Sequence, residues 1–205
     1  MANSVYHSRM VGRPKLREER LDVPTIVDAA LNIARKSLAD LTMRSLSDEL
    51  NVSVGALYKH VSGRDEVLAL VVERVLEQAP RIDPDSGDGW LALRAQVLGV
   101  QDLMDRYPGL DDVVIAHSPK SPTANRMRRE GIAALQREGL TVAQAHKVYR
   151  AVTWLWLGSR AALAGRPRRK ADIDTFAEAL DILIDGLRRQ VGASELAVTS
   201  EEGSR

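Results

Sequence analysis

Only two residues, Asn51 and Val52, separate two short stretches of helical pattern, and this spacing limits the available folds more than any other feature. Residues 43–50 place Leu46 and Leu50 on one face. Asn51 then stands where a left-handed residue would stop the helix, a conformation that asparagine tolerates better than most. Ser53 is a ready N-cap for a second short helix, "SVGALYKHV", residues 53–61. Leu46, Leu50, Val52, Leu57 and Val61 supply the apolar contacts that lock two helices across such a turn. A third helix over residues 24–38, with Ile26, Ala29, Ala30 and Ile33 on one side, completes a helix-turn-helix unit.

Once Leu57 and Val61 face inward, the start of the second helix and its polar residues are left outside. Gly55 and Ala56 let the helix N-terminus come close to a surface, and its dipole favours phosphate. Tyr58 and His60 can donate to phosphates, and Lys59 adds a mobile charge. Such contacts position a protein without reading sequence, whereas Val54, Gly55 and Ala56 could touch base edges or thymine methyls. From spacing alone, a DNA-reading head and a merely solvated face both remain open.

Charge adds one more signal. The 205 residues carry a formal net charge of only +1, but residues 1–17 hold Arg9, Arg13, Lys15 and Arg17 and no acid. In "GRPK", Arg13 beside Pro14 is extended and slim enough to enter a minor groove. The chain contains no cysteine, which excludes disulfides, thiol catalysis and cysteine-type zinc sites. No apolar run is long enough to span a bilayer and no signal-peptide core opens the chain, so the expected compartment is the cytoplasm, with no membrane contact.

The remaining pattern is helical throughout, so the expected fold class is all-α. A basic arm (1–22) precedes the helix-turn-helix domain (23–63), and a connecting helix (64–79) carries "RDEVLALVVERVLEQA". "PRIDPDSGDG" marks a boundary to a second helical domain, 80–192, and residues 193–205 read as a disordered tail. Within that domain, helices are expected over 90–107, 109–116, 121–138, 141–164 and 174–191. Gly139, Gly165 and Gly192 serve as stops, and Thr141 with Gln144 forms a capping box.

The segment "IVDAALNIARKSLADLTMRSLSDELNVSVGALYKHVSGRDEVLALV", residues 26–71, resembles the DNA-binding signature of the tetracycline-repressor (TetR) family of bacterial regulators. "LTMRSL", "LNVSVGALYKHV" and "RDEVL" match it in order and spacing, over about the first third of the chain. The resemblance implies a three-helix DNA domain, a connecting fourth helix, and a C-terminal domain that binds an inducer and dimerises. It places DNA contacts on Met43 and Arg44, on Val54, Gly55, Ala56, Tyr58, Lys59 and His60, and on Arg64. Ser47 replaces a small apolar residue and Asn51 a glycine of the usual pattern; both are tolerable on steric grounds.

The expected partners are therefore a pseudo-palindromic double-stranded operator, a small-molecule effector and a second copy of the chain. Dimerisation would use helices 141–164 and 174–191. The first carries "AVTWLWLGSRAALA", apolar on nearly every face; the second shows a stripe of Phe176, Leu180, Leu183, Ile184, Leu187 and Val191. Two heads about 34–36 Å apart would match successive major grooves.

An effector pocket is expected among helices 90–107, 121–138 and 141–164. Leu93, Val97, Gln101 and Met104 would line it from the first, joined by Ile115 and His117. Met127 would come from the second, and Val148, Thr153, Trp154 and Leu157 from the third. Trp154 and Trp156 suit stacking on a planar ligand, or one could bury in a dimer seam. His117 and His146 lack metal-motif spacing, and neither a phosphate loop nor a Ser–His–Asp setting occurs. No cofactor, metal or catalysis is predicted. The rival reading is a helical small-molecule or interaction module without DNA function; Arg13, Arg44, Tyr58, Lys59 and His60 argue against it.

Overall fold

Two helix starts fall on caps read from the sequence, Ser53 and the Thr141–Gln144 box, and others on caps it did not single out, Asp22, Thr42 and Asp88. In a computed structural model, which describes residues 21–83, 87–117, 121–163, 166 and 168–202 (side chains as far as 191, His117 excepted), every regular element is helical. Helix α1 (Val23–Lys36) is capped by Asp22, whose carboxylate accepts from the Thr25 N–H at 2.9 Å. A 3-10 turn, Leu38–Asp40, replaces the last turn expected there. Helix α2 (Met43–Leu50) opens on a Thr42–Ser45 capping box and stops at Asn51, which sits at φ 52°. Helix α3 (Val54–Leu57) is capped by Ser53, and its turns tighten through His60, so the regular helix is shorter than expected.

Helix α4 (Arg64–Leu76) runs from this head into the second domain. There, α5 (Gly89–Asp105), α6 (Leu110–His117), α7 (Pro122–Arg137), α8 (Val142–Ala162) and α9 (Lys170–Glu202) follow. Helix α7 ends where Gly139 takes φ 89°, as its position predicts, and α8 opens on the Thr141–Gln144 box. The expected stop at Gly165 lies outside the described residues. The tail corrects the expectation: α9 continues through Gly192 to Glu202 instead of giving way to a disordered tail at 193. A helical glycine costs only about 1 kcal/mol relative to alanine, and Ala193, Glu195, Leu196 and Ala197 are good helix formers that carry the helix onward.

One core joins the two domains. Ile26, Ala30 and Ala34 of α1 pack with Leu46, Leu57 and Val61, and α4 adds Val67, Val71 and Val75 on its buried side. Trp90, Leu93, Met104, Leu135, Val152 and Leu180 continue it through the second domain. Gly131 allows α7 and α8 to approach closely: a Cβ there would lie 2.7 Å from the Tyr149 ring. The head meets the body at the turn between α5 and α6. There the Arg35 guanidinium lies 5.8 Å from the Tyr107 ring centre, and Gly109, at φ 87°, sits against Leu38.

Candidate functional site

In the head, the turn that spacing predicted produces an outward polar surface. Tyr58 is 54% exposed, Lys59 and Gly55 are exposed, and His60, Val54 and Met43 are half-buried. A side chain at Gly55 would meet only the Ser53 hydroxyl, at the 3.9 Å of ordinary contact, so the backbone there can be approached closely. Arg44 projects into solvent, where it makes a 3.7 Å (i, i+4) pairing with Asp48. Such an exposed pair contributes little and leaves the guanidinium available.

Two of the predicted contacts are placed differently. Ala56 is 3% exposed and packs inside the helix-turn-helix unit, because its side of α3 faces α2. Arg64 turns back on the head: its Nε donates to the Leu41 carbonyl at 2.6 Å and its Nη2 to the Leu38 carbonyl at 3.4 Å. It therefore fastens the start of α4 to the α1–α2 connection. Beside it, the Glu66 carboxylate accepts from the Ser62 N–H and hydroxyl, and these bonds hold its pKa below the ordinary glutamate value. Ser47, at a position the family pattern gives to a small apolar residue, is buried but donates to the Arg44 carbonyl at 2.8 Å, so its hydroxyl is satisfied. Arg13 lies outside the described residues.

In the second domain a cavity of about 100 Å³ lies among α4, α5, α6, α7 and α8. Val97, Met127 and Thr153 line it, as the sequence predicts. The wall is completed by Trp156, one of the two tryptophans considered for stacking on a ligand, and by Leu76, Gln96, Val100, Val114, Ala124 and Tyr149, which sequence reasoning did not select for it. Trp156 is buried, and its indole N–H has no acceptor among the described residues. Burial pushes the Tyr149 phenol up to about 12.

The other predicted lining residues go elsewhere. Leu93 and Val148 are ordinary core, Leu157 is half-buried off the cavity, and Ile115 is 41% exposed. Gln101 is fully buried, with both amide atoms unpartnered among the described residues. Met104 borders a different cleft. The His117 side chain lies outside the described residues. Trp154, expected in the pocket, is 65% exposed and points away from it, stacked under Arg150 with 5.3 Å from guanidinium to ring.

The cause is the phase of α8. Val152, Trp156 and Arg160 share its buried face, and Arg160 is a residue that sequence reasoning did not single out. Its Nη1 donates to Asp105 at 2.7 Å, while Nε and Nη2 both close on Asp111. A buried charge with two carboxylate partners was the missing signal, and Asp105 and Asp111 were the residues that could have given it.

No family model matches the chain. Among characterised proteins it is similar to the HTH-type transcriptional repressor DrrR1 of Streptomyces coeruleorubidus, 34% identical over 125 residues, covering 59% of this chain and 46% of that protein. The HTH-type transcriptional repressor Rv1353c of Mycobacterium tuberculosis is 24% identical over 148 residues, 69% of this chain and 57% of that one. The chain thus spans about half the length of the curated relatives it matches. Among solved structures, BioQ of Mycobacterium smegmatis superposes with a TM-score of 0.69 at 28% identity, over 82% of this chain and 99% of that one. BioQ has also been solved with its double-stranded DNA operator. A TetR variant of Acinetobacter baumannii in complex with minocycline gives a TM-score of 0.71 at 27% identity, over 83% and 98% of the two chains.

Proposed function

We propose that the chain is a TetR-family transcriptional regulator, a dimeric, effector-responsive repressor that reads DNA through α2 and α3. The observation that carries this reading is the outward grouping of Arg44, Gly55, Tyr58 and Lys59 on a helix-turn-helix head, in a chain similar to BioQ, which has been solved with its double-stranded DNA operator. Tyr58, Lys59 and His60 would hold phosphates, while Arg44, Val54 and Gly55 lie where base edges are read. Buried Ala56 supports the helix from behind, and Arg64 fixes the head to α4.

The second subunit would cover the outer faces of α8 and α9. Trp154 and Ile182 stand 65% and 72% exposed there, and each is followed four residues later by a glycine, Gly158 and Gly186, with open space around it. Large side chains beside small ones on two antiparallel helices suit a four-helix seam, in which each knob enters its twin's gap.

The effector site is the cavity beneath Trp156 and Tyr149. At about 100 Å³ it is smaller than the few hundred Å³ that a drug-sized molecule fills, so binding would have to widen it. One wall is Leu76, the last residue of α4, whose other end carries the head. Widening would therefore move α4 and change the separation of the two heads. An effector does this only through its different affinities for the two arrangements. The unpaired indole N–H of Trp156 favours a largely apolar molecule with one hydrogen-bond acceptor. Among the described residues no helix is long and apolar enough to cross a membrane, and the regulator would act in the cytoplasm, where its operator lies.

The test is fluorescence anisotropy of labelled DNA from upstream of the protein's own gene, at two salt concentrations, beside a scrambled sequence. Tight binding to the native sequence alone that survives the higher salt supports the reading. Equal binding to both sequences that vanishes with salt overturns it. Lys59→Ala should weaken binding to every sequence and reduce the salt slope by about one unit. An unchanged slope would remove Lys59 from the contact surface.

A further inference from the structure

A second and larger cleft, about 570 Å³, opens on the other side of Arg160, where the ends of α5 and α8 meet the start of α6 and the entry to α9. Its apolar wall includes Met104, Pro108, Leu163 and Ile173; its charged residues are Asp105, Asp111, Asp112, Arg160, Arg166 and Arg168. The volume lies within the range that small-molecule sites occupy.

The charges do not cancel pair by pair. Arg160 is fully engaged by Asp105 and Asp111. Arg168 donates from Nη1 to the same Asp105 oxygen at 2.8 Å, and among the described residues its pairing ends there. Its side chain is only 9% exposed, yet Nε and Nη2 are buried with no acceptor among the described residues. These two nitrogens form one edge of the guanidinium, the parallel pair of N–H donors that matches the two oxygens of a carboxylate. Leaving such donors unmet in a protein interior is costly, and an incoming anion removes that cost. Arg168 lies just ahead of α9, outside any helix, and lines the cleft, but its Nε–Nη2 edge is closed to the open space, so an anion meets that edge only when the side chain turns. Arg166, exposed on the rim, adds a second positive charge. Asp112 stands at the opposite edge, shared with a groove that contains Lys36 and Arg64, whose charges oppose its own.

We propose that this cleft is a second ligand site, which takes a small carboxylic acid with an apolar body: the carboxylate on the Nε–Nη2 edge of Arg168, the body against Met104, Leu163 and Ile173. It is separate from the cavity beneath Trp156, with which it shares no lining residue. Its floor at Pro108 and Gly109 is the turn that meets Leu38 of the head. The site itself does not rest on the DNA-binding reading, and its test uses no DNA.

The experiment is calorimetric titration of the full-length protein with 2-naphthoate, its neutral counterpart 2-naphthamide, and inorganic phosphate. We expect naphthoate to bind, and naphthamide to bind about tenfold more weakly or worse, the loss expected for charge-assisted hydrogen bonds. Arg168→Gln should weaken naphthoate by a similar factor, and Arg168→Lys, which keeps the charge but not the fork, should fall between. Val97→Phe, which fills the smaller cavity, should leave naphthoate binding unchanged. Should circular dichroism show that Arg168→Gln does not fold, Leu163→Asp, at the half-buried end of α8, should repel the carboxylate instead. Equal affinity for naphthoate and naphthamide, no effect of Arg168→Gln or Leu163→Asp, or loss of binding in Val97→Phe would each overturn the proposal. Phosphate binding as tightly as naphthoate would also overturn it, by reducing the site to a bare anion contact.

Discussion

The head and the body of this molecule are built from the same kind of helix but are specified differently. In the head, short helices are set by side chains next to them in sequence: Asp22 caps α1, Thr42 and Ser45 box α2, Ser53 caps α3, and Asn51 turns the chain between them. In the body, long helices are set by partners far away in sequence. Glu73 of α4 accepts from the Ser121 hydroxyl and, at 2.8 Å, from the Thr123 N–H at the start of α7. Arg94 of α5 pairs with Asp181 of α9, which holds that carboxyl below its usual range. Local rules therefore place most of the head, Ala56 and Arg64 excepted, whereas the body, though α5, α7 and α8 are also capped locally, depends on which side of each helix its neighbours cover.

The largest test of this contrast is in the head. Leu57 is fully buried at the centre of the three-helix unit, and Leu57→Ala should cost about 2–5 kcal/mol in urea unfolding. Leu157→Ala, at a half-buried position in the body that the sequence offered as pocket lining, should cost far less. Equal losses would erase the distinction.

Next comes Arg160. Removing it in Arg160→Ala leaves Asp105 and Asp111 facing each other without their shared partner, at a cost of about 3 kcal/mol. A loss below about 0.5 kcal/mol, as expected of a surface position, would mean that Arg160 does not set the phase of α8.

Third, Trp154→Glu should yield a folded monomer in sedimentation, because it places a charge in the seam proposed between subunits while Trp154 itself touches little of its own core. A variant that stays dimeric would move that seam elsewhere. The smallest effect is at Tyr149. Its pKa of about 12 in the folded chain lies above the ordinary value of 10.0, so the folded state holds its proton longer than the unfolded one. That contribution to stability is intact below about pH 10 and is lost as pH rises towards 12. Ultraviolet titration should show a late tyrosine component that disappears in Tyr149→Phe.

The sequence by itself determined that the chain is helical, where its head turns, and which residues of the head face out. Caps, a left-handed asparagine and apolar spacing act over four or five residues, and Tyr58, Lys59 and Gly55 take the positions that this pattern assigns. Ala56 is an exception, buried by packing against α2, and Arg64, though exposed, has its guanidinium drawn onto carbonyls of the α1–α2 connection. In the body, only Val97, Met127 and Thr153 of the expected lining reach the cavity. Helix α8 is apolar on nearly every side, so its sequence does not say which side is inward. That was decided by Asp105 and Asp111, more than forty residues earlier, which draw Arg160 inside. One buried ion cluster turns Trp156 towards the cavity and Trp154 towards solvent, a choice that depends on contacts only the folded chain makes.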